Sequence, residues 1–342
     1  MNARRRILQI GYGAFGATHL RAWLALGQAE CLILADKQPE ALAAARQIAP
    51  DIRTVDDFRS ALADCDAVDI VTQSDTHYAI ASVVLAAGKP VLIEKPIVTS
   101  LDQARDLAAL AVRHNALVRG GYYFRYHPKT VALRKLLDEG ALGKLRVLTG
   151  RFAGIKRTRA DAGALLNDAV HFLDLFVWLL GEPPTSLYAV TRDHFGRGLE
   201  DFASIVLQFR SGAVAQIESG TIQPGRWPDA VVPGAITSKE IAISGSLGVV
   251  EIDYAAETMS HRAVAHVQDG AIWQPRFAEA PPFIAAAADP VAVVTEELRD
   301  FLAAIDSGQN NHDALDGGVT MARLLEAALR SAADNVVVKL ET

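Results

Sequence analysis

Ile7-Leu8-Gln9-Ile10-Gly11-Tyr12-Gly13-Ala14-Phe15-Gly16 is a short apolar run that ends in a glycine turn and enters a helical pattern over Ala14 to Leu26. Gly11, Gly13 and Gly16 permit a tight turn and let backbone approach a pyrophosphate, which then rests on the amino end of the helix. Glycines at this spacing also suit an ordinary strand-to-helix turn, so the motif alone decides little. Asp36 narrows the choice. It ends the second apolar run, 20 residues after Gly16, where a carboxylate accepts hydrogen bonds from adenosine ribose hydroxyls. Its charge repels a 2′-phosphate and favours NAD, whereas Lys37 beside it offsets that repulsion and leaves NADP open.

Outward from this turn, β-rich runs at Cys31 to Ala35, Ala67 to Thr72, Pro90 to Ile93 and Leu117 to Arg119 alternate with helical stretches at Pro39 to Ile48, Thr76 to Ala87 and Leu101 to Asn115. Ser100 and Gln103 give the last helix a capping-box signature. Such alternation predicts a parallel, doubly wound α/β sheet, a Rossmann domain over residues 1–121. The pattern then changes. Ala203, Ile205, Leu207 and Phe209 alternate with Phe202, Ser204, Val206 and Gln208, and Ser211-Gly212 turns the chain into Ala213 to Gly220. That is a hairpin signature. With strand-like runs at Glu240 to Ser244, Val249 to Tyr254 and Val264 to Gln268, and helices near Val293 to Ile305 and Gly317 to Ala333, residues 122–342 predict an α+β domain on an open, mostly antiparallel sheet. Gln223 to Gly234, rich in Gly and Pro, reads as a long loop of that sheet.

At 342 residues the chain exceeds the size of one core, which favours two domains. A net charge of −6 with both signs scattered excludes a basic nucleic-acid footprint and points to a small-molecule partner. Cys31 and Cys65 are too few for a disulfide scaffold and lack metal-ligand spacing, so no metal is expected and a reducing cytoplasm fits. Arg4-Arg5-Arg6 precedes an apolar stretch far too short for an export signal. No run approaches the ~18 apolar residues of a membrane helix.

Glu94-Lys95-Pro96 closes the run Val91-Leu92-Ile93, at a strand end from which a lysine can reach a nicotinamide and its substrate. The spacing of Leu166, Val170, Leu173, Val177 and Leu180 predicts a helix buried on one side, with Asn167, His171 and Asp174 in one polar stripe. That stripe suits either a proton-transfer site or a buried structural network.

Taken in order, the motifs resemble those of the glucose–fructose oxidoreductase, inositol dehydrogenase and rhizopine-catabolism (Gfo/Idh/MocA) family over nearly the whole chain. The matching segments are Gly11 to Gly16, Asp36, Thr72 to His77, Gly88 to Pro96, Gly121 to Pro128, Leu166 to Asp174 and Trp178 to Gly181. The resemblance implies an NAD(P)-dependent oxidoreductase that moves a hydride between nicotinamide and a secondary carbinol of a sugar, cyclitol or nucleotide-linked sugar. It implies Lys95 and His171 as the catalytic pair, with His171 as base and Lys95 as orienter and electrostatic partner. Cofactor contacts are expected from Gly11, Tyr12, Gly13, Ala14, Phe15, Gly16, Asp36, Lys37, Thr72, Gln73, His77, Glu94 and Lys95. Substrate contacts are expected from Tyr123, Arg125, Asn167, Asp168 and His171, and Lys156, Arg157 and Arg159 suit a clamp on a phosphate or carboxylate. Three positions depart from the family pattern: Asn167 stands where an Asp is usual, Gln73 replaces a proline and Tyr123 an asparagine. An NAD-dependent glycosidase and a non-catalytic sensor share the fold and remain alternatives. The family further implies a homodimer or homotetramer.

Overall fold

The computed structural model describes residues 4–279, 285–308 and 312–340. It separates into two compact units, Met1–Tyr123 with Asp289–Arg323, and Phe124–Ala288 with Leu324–Thr342.

The first unit is built on six parallel strands, β1 (Arg5–Ile10), β2 (Ala29–Ala35), β3 (Arg53–Val55), β4 (Ala67–Ile70), β5 (Val91–Glu94) and β6 (Val118–Gly121), in the order β3-β2-β1-β4-β5-β6. Every residue of β4 and β5 is buried, as a parallel sheet covered on both faces requires. The order reverses between β1 and β4, and the turns after β1, β4 and β5 carry Gly11, Thr72 and Lys95. That is the switch point at which such sheets bind ligands. Helices α1 (Ala14–Leu26), α2 (Pro39–Ile48), α3 (His77–Ala86) and α4 (Leu101–His114) join the strands. Ser100 caps α4 through Gln103 N, but the Gln103 side chain reaches back to Thr99 instead of completing the box on Ser100. β3 has three residues, too few to show a period in the sequence.

The second unit holds a ten-stranded sheet: β7 (Leu145–Ile155), β8 (Pro184–Arg192), β9 (Phe202–Phe209), β10 (Val214–Gly220), β11 (Trp227–Pro228), β12 (Ile236–Gly245), β13 (Gly248–Asp253), β14 (Thr258–Asp269), β15 (Ile272–Ala278) and β16 (Val338–Lys339). Its order is β15-β14-β13-β12-β7-β10-β9-β8-β16, with β11 on β12. β7 and β10 pair parallel and the other neighbours antiparallel. The expected hairpin is β9-β10, with Ala203, Ile205, Leu207 and Phe209 turned into the core. The unit's helices are α5 (Pro128–Asp138) and α6 (Val170–Leu180), together with the end of α8 (His312–Asp334). Helix α6 lies so close to β7 that a β-carbon at Gly150 would stand 2.8 Å from the Phe172 ring.

Two sequence expectations change. A cut at Gly121 does not separate the compact units, because α7 (Pro290–Ser307) returns to the first one. Val294, Leu298, Phe301 and Leu302 of α7 share a core with Ile7, Ala22 and Trp23, and burial of that apolar face outweighs its distance along the chain. The buried side of α6 is also broader than the expected stripe: Phe172, Leu175, Phe176 and Leu179 are buried, while Val177 and Leu180 are only half-buried.

Candidate active site

The glycine turn is shaped by steric need at two positions. Gly11 has φ +102°, and a β-carbon there would lie 2.6 Å from Val71 O. At Gly16 it would lie 2.6 Å from Gly11 O, so helix and turn close only on glycine. Gln9, fully buried beneath them, donates from Nε2 to Gly11 O at 3.0 Å and to Gly16 O at 2.9 Å. This brace has no signature in the sequence, since one glutamine within the run Ile7 to Ile10 gives no reason to single it out. Gly13 caps α1 without any side-chain acceptor, and a β-carbon there would meet nothing within 4 Å. The first-turn N–H groups around Ala14 and Phe15 are therefore open to an anion, which the helix dipole favours.

Asp36 leaves the end of β2 with both carboxylate oxygens oriented. Oδ2 accepts Tyr12 N at 2.7 Å and Oδ1 accepts Gln38 N at 2.8 Å. Each oxygen keeps a further lone pair for a ribose hydroxyl. The acidic residue and the glycine turn, read separately in the sequence, are thus one hydrogen-bonded structure that fits a dinucleotide. Lys37 is exposed beside it. Phe15 meets Tyr123 edge-on at 6.1 Å, which places Tyr123 against the glycine turn of the first unit.

Lys95 is half-buried at the end of β5 and is followed by a cis peptide to Pro96. Two expected cofactor residues serve the frame around it. His77 is buried between two carbonyls, with Nδ1 2.9 Å from Pro96 O and Nε2 3.2 Å from Thr72 O, and as a neutral ring it donates to one of them. Burial pushes its imidazole below the ordinary value despite those carbonyls. Glu94 is turned inward: Oε2 accepts Lys95 N at 3.1 Å, and Oε1 lies 3.3 Å from Nε2 of the buried His19. Thr72 is half-buried and bonded by the Thr76 hydroxyl at 2.7 Å, while Gln73 is exposed.

In the second unit, His171 opens α6 between two aromatic rings, Phe124 edge-on at 5.2 Å and Phe152 at 5.3 Å. The turn before it, Leu165–Ala169, is π-helical. This wider turn moves Asn167 and Asp168 off the positions that an ideal α-helix would give them. Asp168 is buried, accepts Asn167 Nδ2 at 2.7 Å and pairs with Lys156 Nζ at 2.6 Å. Asn167 thus borrows a carboxylate from its neighbour. Lys156, 5% exposed and 4.5 Å from the Phe152 ring centre, is part of this network and is not free to clamp a ligand. Arg159 is paired with Asp161 at 2.6 Å, which leaves Arg157 as the exposed member of the basic trio. Arg125 forms a bidentate pair with Asp174, one arm at 2.7 Å. Burial raises the Asp174 carboxyl, although Arg125 opposes it.

The loop over 223–234 is pinned by Asp229, which accepts N–H bonds from Val231 and Val232 and the Thr237 hydroxyl, and pairs with Lys239 at 2.8 Å. Trp227 donates to Asp253 at 3.0 Å and so anchors the loop. Burial opposes ionisation of Asp229, but Lys239 and the two N–H groups outweigh it and hold the carboxyl down to about 2. A carboxyl depressed below its unfolded value of ~3.9 stabilises above that value and loses its contribution as pH falls through the folded one. Loop order should therefore loosen between pH ~4 and about 2, read from Trp227 fluorescence. Asp229→Asn should remove that transition and show the loosened signal at neutral pH.

The oxidoreductase family with an NAD-binding Rossmann fold matches residues 5–122, and the GFO/IDH/MocA C-terminal domain matches residues 130–251. The chain is similar to inositol 2-dehydrogenase of Rhizobium meliloti (strain 1021), 26% identical over 336 residues, 95% of this chain and 96% of the relative. It is also similar to D-apiose dehydrogenase of Paraburkholderia graminis, 26% identical over 97% of this chain and 89% of that one. Among solved structures, GenD2 from gentamicin A biosynthesis in complex with NAD has a TM-score of 0.81 at 26% identity, covering 99% of this chain and 97% of its own.

Proposed function

The chain belongs to the Gfo/Idh/MocA oxidoreductase family, and from that premise we propose that it oxidises a secondary carbinol of a sugar or cyclitol with NAD. The observation that carries this reading is Asp36, held by Tyr12 N–H beside an α1 terminus that lacks a side-chain cap. Relatives named for inositol and apiose support a polyhydroxylated substrate.

In this reading, the first-turn N–H groups of α1 would hold the pyrophosphate and Asp36 the adenosine ribose. NAD, when bound, supplies the hydride acceptor. His171 would take the O–H proton of the carbinol, becoming an imidazolium as the carbinol is oxidised to a ketone. Phe124 and Phe152 flank the imidazole and would fix its orientation, and the Lys95 ammonium would stabilise the developing alkoxide. Arg157 and Asn167 face the substrate in this proposal, while Arg125 and Asp168 act through their ion pairs.

The test is a panel of sugars, inositols and nucleotide sugars with NAD or NADP, followed by nicotinamide absorbance. Reduction of NAD by a free sugar or inositol is expected. Glycoside cleavage with no net NADH from any substrate would sink the reading. Asp36→Ser should raise the KM for NAD by about 10- to 100-fold with kcat little changed, since charged hydrogen bonds are each worth ~1.5–3 kcal/mol. An unchanged KM would remove Asp36 from the cofactor site.

We also propose a cytoplasmic homodimer or homotetramer. Val147 and Val214 are register partners on neighbouring strands, as are Ile155 and Ile236, and all four side chains are exposed on one sheet face. Sedimentation would read the assembly, and a monomer at micromolar concentration would rule it out.

A further inference from the structure

We propose that His19, Glu94 and Glu297 form a buried site for one divalent cation of the zinc class. Linear spacing conceals it, because the residues come from α1, β5 and α7, which only the fold of the first unit brings together.

One ligand atom from each residue lies within 4.8 Å of the others. His19 Nε2 and Glu94 Oε1 approach to 3.3 Å, an ion-pair distance without hydrogen-bond alignment. That separation matches the edge of a tetrahedron whose metal bonds are ~2.0–2.1 Å. The imidazole is already oriented as a ligand. His19 Nδ1 lies 2.9 Å from Asp69 Oδ2, which also accepts Trp23 Nε1 at 2.8 Å. A carboxylate behind one ring nitrogen fixes the tautomer that presents the other nitrogen's lone pair, a common outer-shell arrangement around metal-bound histidine.

Glu297 is the independent observation. It is 1% exposed, and neither of its carboxyl oxygens has a hydrogen-bond partner among the described residues. His19 Nε2 and Glu94 Oε1 make no hydrogen bond either, only the 3.3 Å ion pair with each other, and one carboxyl oxygen of Glu297 lies within 4.8 Å of the ligand atoms of both. Native interiors leave only a few such atoms per hundred residues, and a cation is a guest that would satisfy a cluster of them drawn from three residues. Without a cation the group holds protons instead. Burial, reinforced by Glu94, raises Glu297 well above the usual carboxyl range, and at His19 the carboxylates of Asp69 and Glu94 overcome burial to favour the imidazolium. A dication that displaces both protons leaves the local charge unchanged. Because Glu94 Oε2 also holds Lys95 N, the cation would tie α1 and α7 to the backbone of the lysine strand end.

The test uses the full chain purified from medium supplemented with ZnCl2 and MnCl2, with metal content read by mass spectrometry after dialysis. About one zinc per chain is expected, falling below about 0.1 in Glu297→Gln. In the unsubstituted protein, EDTA should lower the Tm by several degrees and added ZnCl2 should restore it. No retained metal together with a Tm indifferent to EDTA and ZnCl2 would overturn the site and leave the group a proton-holding cluster. NAD binding, titrated separately on the same sample, keeps this outcome distinct from failure of the proposed activity.

Discussion

His171→Ala should lower kcat by about 100- to 10,000-fold, the range that a positioned acid-base group contributes. Its imidazole is half-buried at the start of α6 between Phe124 and Phe152, so the unfolding midpoint measured alongside separates lost chemistry from lost packing. The acidic limb of the pH–kcat/KM profile should vanish with it, because that limb reports the group which must be deprotonated to accept the carbinol proton. Lys95→Ala should cost a similar factor in kcat while leaving the acidic limb in place, as expected of an alkoxide stabiliser. A loss of less than ~10-fold in both variants would remove the pair from the chemistry. An acidic limb lost in the lysine variant instead would exchange their roles.

The largest stability effect is expected at Asp168. Replacement by Ala leaves Lys156, 5% exposed, as a buried charge without its carboxylate. Breaking one side of such a pair costs about 3–5 kcal/mol, whereas replacing both sides with apolar groups is often close to neutral. Asp168→Ala should therefore lower the urea midpoint sharply, and Asp168→Ala with Lys156→Met should recover most of it. A single variant as stable as the parent would mean that the ion pair contributes nothing. The same cycle measured in kcat would show whether Asp168 assists His171, to which Asn167 offers no charge.

Where the chemistry depends on neighbours in the chain, it was legible before the fold. Gly11 and Gly16 leave no room for a β-carbon within one six-residue turn, and that constraint is visible as a glycine spacing between strand and helix. Asp36 was legible because parallel βαβ units place the second strand's end at a nearly fixed distance along the chain. The hairpin over 202–220 declared itself through strict alternation. Lys156 did not: it looked like one of three loop cations, and nothing nearby reveals that it turns inward to Asp168. The π-turn over Leu165–Ala169 was equally hidden, since a single wide turn of five residues is too short to show a period of its own. Helix α7 read as part of the second half because proximity in sequence is a poor guide once a long segment returns to an earlier core.

The sequence by itself determined the family, the doubly wound first sheet, the mostly antiparallel second one and the glycine turn between β1 and α1, because each depends on local conformation and periodicity. Only the tertiary structure decided where the buried charges go. It turned Glu94 towards His19, set His77 between two carbonyls and brought Glu297 from far along the chain beside Glu94 and His19. The physical reason is that a polar side chain removed from water must find its partners wherever packing supplies them, and packing is not ordered by position in the chain.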